Sequence, residues 1–270
     1  MPQAVRAVER ALDILLCFRT DRSSLSLTEI AEQVGMNKST IHRLLATLES
    51  KHFIIRDKAT GMYQLGYLFV ELASIILQDL DLRQLAKPYL QQLSDRSGET
   101  VDLAILSDGH VVYLQVIEST QRVKIAAAVG ERLPATCTAT GKAFLAYLPE
   151  SQVRQILDQD STRYTERTLT SLEKLLANLR ETRTRGFSIS EQEYEIEINA
   201  VAAPIMDANG SPVAVIAIVG PSYRMPPERL QSLGQLLKET TDALSREVGQ
   251  ATLPTILSNI NYSSTNVNNL

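Results

Sequence analysis

Cysteine and histidine are scarce in this 270-residue chain, with two of the first and three of the second. Cys17 and Cys137 are too few to build a disulfide framework. His42, His52 and His110 stand at no metal-ligand spacing, so neither a metal site nor a cofactor is expected. Long apolar runs are missing too. No stretch reaches the ~20 residues of a membrane span. The opening Met1-Pro2-Gln3-Ala4-Val5-Arg6 lacks the apolar core of a secretion signal, which points to the cytoplasm. Nor is there a strong charge of either sign, the net value being −4. Residues 1–66 hold nine basic against seven acidic side chains, and the remainder eighteen against twenty-four. That asymmetry has the sign a nucleic-acid partner needs, but it is small, so DNA binding has to be argued from a motif. Apolar residues make up 44% of the chain, and its length suffices for two ordinary domains.

Val5, Val8, Leu12, Leu15 and Leu16 share one helical face, which predicts a first helix ending near Phe18. Asp21-Arg22-Ser23-Ser24 reads as a polar loop. Ser26 with Glu29 three residues on makes a capping box for a short helix from Leu27, and Gly35 supplies the left-handed turn after it. Asn37 caps the next helix, whose apolar positions Ile41, Leu44, Leu45 and Leu48 follow the i, i+3, i+4, i+7 rule. Its other face carries Ser39, His42, Arg43 and Ala46. A short helix, a glycine turn and a second helix with polar N-terminal residues form a helix-turn-helix. A plain helical hairpin with a solvated face would share those features. Phe53–Arg56, the turn Asp57–Gly61 and Met62–Leu65 add a hairpin, the wing of a winged helix. The candidate DNA contacts are Ser26, Thr28, Asn37, Lys38, Ser39, Thr40, His42 and Arg43, with Arg56 and Lys58 on the wing for the DNA backbone.

The run Leu27-Thr28-Glu29-Ile30-Ala31-Glu32-Gln33-Val34-Gly35-Met36-Asn37-Lys38-Ser39-Thr40-Ile41-His42-Arg43-Leu44-Leu45, with Gly61-Met62-Tyr63-Gln64-Leu65-Gly66 after it, resembles the IclR family of bacterial regulators. His52 departs from the family, which usually has a glycine before the wing. The winged domain is expected over residues 4–66. Leu65, Leu68, Phe69, Leu72, Ile75 and Ile76 then form an apolar stripe on a linker helix over 67–80. It needs a partner, either the second domain or a second copy, and the resemblance implies a homodimer or a dimer of dimers.

From residue 81 the pattern changes. A helix is predicted over Leu82–Arg96, with Pro88 a kink or restart. Strands follow at Thr100–Leu106, His110–Ile117 and Val123–Ala128. Helices are predicted at Gly141–Tyr147, Ser151–Leu157 and Ser171–Arg185. Strands return at Phe187–Ser190, Ala200–Met206 and Val213–Val219, and a last helix spans Pro227–Val248. The fold class is α+β. Leu133-Pro134-Ala135-Thr136-Cys137-Thr138-Ala139-Thr140-Gly141-Lys142-Ala143-Phe144-Leu145-Ala146 and the segment Gly186-Phe187-Ser188 through Ala202-Ala203-Pro204-Ile205 resemble the GAF-like effector-binding domain of IclR proteins, here over 81–250. The tail 251–270, rich in Asn, Ser and Thr, is expected to be disordered.

The resemblance implies that Ala135, Thr136, Cys137, Thr138 and Ala139 face the effector from one side, and Ser190, Glu191, Glu193, Ile198 and Ala200 from the other. Thr138 or Thr140 can cap the helix near Gly141, where free N–H groups suit a carboxylate. The threonines would serve equally as simple caps. Cys137 reads as a small buried apolar residue. Glu191, Glu193, Glu195 and Glu197 alternate as on an exposed strand, most of them solvated and one carboxylate turned inward. Glu197 replaces a common glycine of the family and Ala200 a frequent Cys or Ser. The expected function is a transcriptional regulator that binds double-stranded DNA under control of a small effector, an organic acid. The alternatives are an enzyme on the larger domain, for which no nucleophile–base pair or phosphate loop appears, and a protein-interaction module.

Overall fold

The computed structural model describes residues 5–19, 22–72 and 81–250. The chain divides into two compact units, Met1–Gln78 and Asp79–Leu270.

The first unit holds α1 (Arg6–Leu15), β1 (Ser24–Leu25), α2 (Leu27–Val34), α3 (Lys38–Ser50), β2 (Ile54–Arg56) and β3 (Tyr63–Leu65). Its strands are antiparallel in the order β1-β3-β2. Ser24, placed in a polar loop by its neighbours, instead pairs with Gln64 and opens an edge strand. The apolar member of that short strand, Leu25, is buried, and the ladder satisfies its backbone. The core joins Ile14, Leu25, Ile30, Ile41, Leu45, Ile54 and Tyr63.

The first helix packs differently from its stripe. Val5, Val8, Leu12 and Leu16 are 53–75% exposed, and α1 meets the core through Ile14, with Ala11 and Leu15 partly buried beside it. Residues 68–72 are helical. The rest of the predicted linker helix, with Ile75 and Ile76, lies outside the described residues, as does the tail 251–270.

The second unit is one six-stranded antiparallel sheet between helices. Its strands are β4 (Thr100–Ser107), β5 (His110–Ile117), β6 (Arg132–Pro134), β7 (Ser188–Glu191), β8 (Ile198–Met206) and β9 (Pro212–Pro221), ordered β6-β5-β4-β9-β8-β7. The helices are α4 (Asp81–Ser97), unbroken through Pro88, then α5 (Ala139–Leu145), α6 (Glu150–Gln159), α7 (Leu172–Arg185) and α8 (Pro227–Gln250). Side chains alternate along each strand. Ala104, Ala202, Val215 and Ala217 face α5, packing on Ala139, Ala143 and Phe144. Val201, Ala203, Ile205, Ile216 and Ile218 have the opposite parity and are fully buried.

Val123–Ala128 is not a strand. Two of its carbonyls are taken by side chains, Ile125 O by the Thr100 hydroxyl at 3.0 Å and Val123 O by Arg224 at 2.9 Å. The edge of the sheet beside β5 belongs to β6, which pairs with His110–Val112. The alternating glutamates do not form a strand either. After Glu191 the chain leaves the sheet, with Gln192 at φ 60° and Glu197 at φ 64°, and rejoins it at Ile198. Two left-handed residues curl the segment back on itself, and Gln192 N–H donates to Ile198 O at 2.9 Å.

Candidate DNA interface and effector cavity

Sequence-local chemistry sets the DNA-facing helices. Ser26 accepts from Glu29 N–H at 3.3 Å while the Glu29 carboxylate accepts from Ser26 N–H at 2.7 Å, closing the capping box. These bonds hold the Glu29 carboxyl below its usual range. Gly35 at φ 67° turns the chain, and Asn37 accepts from Thr40 N–H at 3.0 Å and from the Ser39 hydroxyl at 3.1 Å. With Ile41, Leu45 and Leu48 buried, α3 presents Ser39, His42, Arg43 and Ala46 to solvent, all exposed. Thr28 and Lys38 are exposed too, Thr40 is half-buried, and Ser26 is half-buried as the cap. No ion pair among the described residues engages Lys38, Arg43 or Lys58. The wing turn is organised by Asp57, which accepts from Ala59 and Thr60 N–H at 2.7 and 3.1 Å. Lys58 stands at its tip. Arg56 lies in β2, its guanidinium 5.4 Å from the Tyr63 ring centre.

In the second unit, a cavity of about 100 Å³ opens on the α5 side of the sheet. Its floor is Asp102 of β4, Tyr113 of β5, Ile198 and Ala200 of β8, and Ala217 and Val219 of β9. Thr138, Ala139 and Thr140 wall one side, Ser190, Tyr194 and Glu195 another, and Ile125–Ala127 with Glu131 and Leu133 a third. Five of the ten predicted effector residues therefore line it: Thr138, Ala139, Ser190, Ile198 and Ala200. The other five do not. Ala135 and Cys137 are fully buried and Thr136 nearly so, Glu191 is exposed at the end of β7, and Glu193 is buried behind the wall.

The start of α5 is fixed by packing. Thr138 accepts from Gly141 N–H at 3.1 Å and donates to Pro134 O at 2.8 Å, so its hydroxyl is committed to the cap. A Cβ on Gly141 would stand 2.2 Å from the backbone of Ala135. Ser188 donates to Ala139 O at 2.6 Å and Ser190 to Cys137 O at 3.3 Å, tying β7 to this turn. Burial pushes the Cys137 thiol up to about 12. Lys142, one turn along, is fully buried. It donates to Ile189 O at 2.6 Å and pairs with the buried Glu193. Desolvation pulls the Lys142 ammonium down and the Glu193 carboxyl up, with their mutual attraction opposing both. Thr168 donates to Glu193 O at 2.7 Å and Thr165 to Gln192 O at 2.6 Å. The segment bearing Tyr194 and Glu195 is thus anchored from behind.

Asp102 was not anticipated. It is 1% exposed, its Oδ1 has no hydrogen-bond partner, and burial alone lifts its carboxyl to about 8. A lone acid inside the apolar run Val101–Leu106 was its signal in the sequence. Tyr113 beside it is raised by burial and by the charge of Asp102.

Residues 7–58 match the IclR helix-turn-helix domain, and residues 74–246 match the bacterial transcriptional regulator IclR C-terminal domain. The chain belongs to the IclR family. It is 33% identical over 246 residues to the HTH-type transcriptional regulator XynR of Escherichia coli K12, covering 91% of this chain and 98% of XynR. The crystal structure of an IclR regulator from Alicyclobacillus acidocaldarius superposes with a TM-score of 0.79 at 30% identity, covering 92% of this chain and all of that one. A homologue from Microbacterium hydrocarbonoxydans, complexed with 4-hydroxybenzoate, shares the fold at TM-score 0.80 and 24% identity, over 91% of this chain and 100% of that one. As an IclR member the chain is a DNA-binding transcriptional regulator and not an enzyme.

Proposed function

We propose that α3 of this regulator enters the major groove, with Lys38, Ser39, His42 and Arg43 at base edges and phosphates, while Lys58 of the wing follows the adjacent backbone. The observation that carries this is the division of α3: one side packs in the core, and the other exposes Ser39, His42 and Arg43, with Lys38 and Arg43 in no ion pair among the described residues. The exposed stripe Val5, Val8, Leu12 and Leu16 on α1 supports a homodimer, since four large apolar side chains on one helix face need cover. Two copies would address two half-sites. The cavity on the α5 side of the sheet takes the effector, and occupancy shifts the dimer between arrangements of different DNA affinity. Arg43→Ala tests the first step. It should weaken operator binding by about 1–3 kcal/mol and relax sequence preference, whereas Lys58→Ala should weaken all sequences alike and lower the salt slope by about one. Unchanged binding by the Arg43 variant refutes the assigned recognition surface.

A further inference from the structure

Among the described residues three acidic side chains of the second unit are buried: Glu99, Asp102 and Glu193. Glu99 receives Arg224 through two bonds, at 2.6 and 2.8 Å, with Arg229 at 3.5 Å. Glu193 has Lys142. Asp102 alone has no cation, and it is the one that lines the cavity. No Lys or Arg lies among the described lining residues. Lys142, on the helix that bears Thr140, is held by Glu193 and Ile189 O. The other titratable groups of the cavity are Tyr113, Tyr194, Glu131 and Glu195, the last two exposed at the rim. All are acids or phenols. An anionic ligand would meet two acids at the rim and no cationic side chain, and Asp102 could serve it only while its carboxyl stays protonated. A cation would meet a buried carboxylate, two phenol rings whose faces attract positive charge, and two acids at the rim.

We propose that the effector is a small amine, bound as its ammonium ion with the Asp102 carboxylate as counter-ion. This rests on the reading of the cavity as the effector site, and it replaces the organic acid expected from the sequence. Size agrees with a small molecule, since about 100 Å³ is well below the roughly 300–1,000 Å³ of sites for larger ligands. Binding has a proton linkage of definite sign. The free site holds a proton on Asp102 below pH about 8, and the ammonium needs it gone. An alkylammonium stays charged throughout, its pKa being close to that of lysine, roughly 10.4. Amine affinity should therefore rise with pH and level off near 8, with a proton released on binding. A carboxylate would bind with the opposite slope.

The test compares three molecules of matched shape, propylamine, propan-1-ol and propionate, by thermal shift and calorimetry on the full-length protein at several pH values. Propylamine should stabilise most, with affinity rising toward pH 8. Asp102→Asn should weaken it by roughly tenfold to a hundredfold while leaving propan-1-ol unchanged. Should that variant fold poorly, the pH slope of the unaltered protein decides alone. Propionate binding as tightly as propylamine, a falling pH slope, or no response to any of the three overturns the proposal. Ala200→Phe, which fills the cavity, separates the two readings. If propionate binds as tightly as propylamine and this variant abolishes its binding, the site stands and the amine falls. If it leaves propylamine binding intact, the cavity is not the site.

Discussion

Lys142→Met keeps most of the length of the side chain and removes its charge. Two losses follow from the structure. Glu193, 7% exposed, is left as an unpaired buried acid, and Ile189 O loses its donor at 2.6 Å. Breaking a buried pair from one side costs about 3–5 kcal/mol. For a unit of this size that lowers Tm by roughly 6–20 °C. Glu193→Gln in the same chain removes the stranded charge and should recover most of the loss. About 1 kcal/mol would remain for the unfilled carbonyl. The pH dependence has a fixed sign. With Lys142 gone, burial raises the Glu193 carboxyl above its unfolded value, so the folded form binds the extra proton. The variant should sit closest to the parent protein below about pH 4.3 and fall away as pH rises through the raised value. Calorimetric melting of the four proteins of the cycle, at acidic and neutral pH, measures this directly. Equal Tm for the parent and Lys142→Met at neutral pH would refute the stabilising role of the pair. A double variant less stable than either single one would refute the stranded-charge explanation.

His52 and Glu197, the two positions that depart from a family glycine, both adopt left-handed backbone, at φ 61° and 64°. A left-handed non-glycine residue costs about 1–2 kcal/mol, partly offset by the freedom glycine loses on folding. His52→Gly and Glu197→Gly should each raise Tm by a few degrees, and a decrease in thermal melting for either contradicts the strain. Gly141→Ala drives a Cβ into the Ala135 backbone and should cost about 3 kcal/mol or more, read from urea unfolding of the second unit. A fully stable alanine variant would mean that α5 can shift away from Ala135.

Much of the first unit was legible because its signals are local. The Ser26–Glu29 box, Gly35 and the Asn37 cap are chemistry between residues three apart, and the structure has all of them. The stripe on α1 was visible, but its destination was not. Periodicity finds an apolar face without saying whether the same chain covers it. The second unit hid more. Val123–Ala128 was misassigned because pairing depends on which backbone groups side chains claim from a distance, as Thr100 and Arg224 do here. The cavity suffered most. Its floor comes from four strands that are neighbours in the sheet but far apart in sequence, so Tyr113 and Val219 gave no local sign. Family resemblance led to α5 and β7, and there it reached Thr138, Ala139 and Ser190. It could not tell which face of the turn at 135–139 looks inward, and Cys137 looks away.

An unpaired buried carboxyl is a cost that a simple substitution removes. Asparagine or leucine at 102 would relieve the desolvation that lifts Asp102 to about 8. In a purely structural core such a group would be a defect. In a regulator it has a use. A ligand stabilises a protein only through interactions absent without it, and it shifts a conformational equilibrium only by its differential affinity for the two states. Glu99 and Glu193 have those interactions built in, so their energy is already spent in every state in which the pairs persist. Asp102 keeps its own in reserve. The charge it lacks is available to whatever enters the cavity, and the anchored segment carrying Tyr194 and Glu195 is the part of the wall such a ligand would touch next.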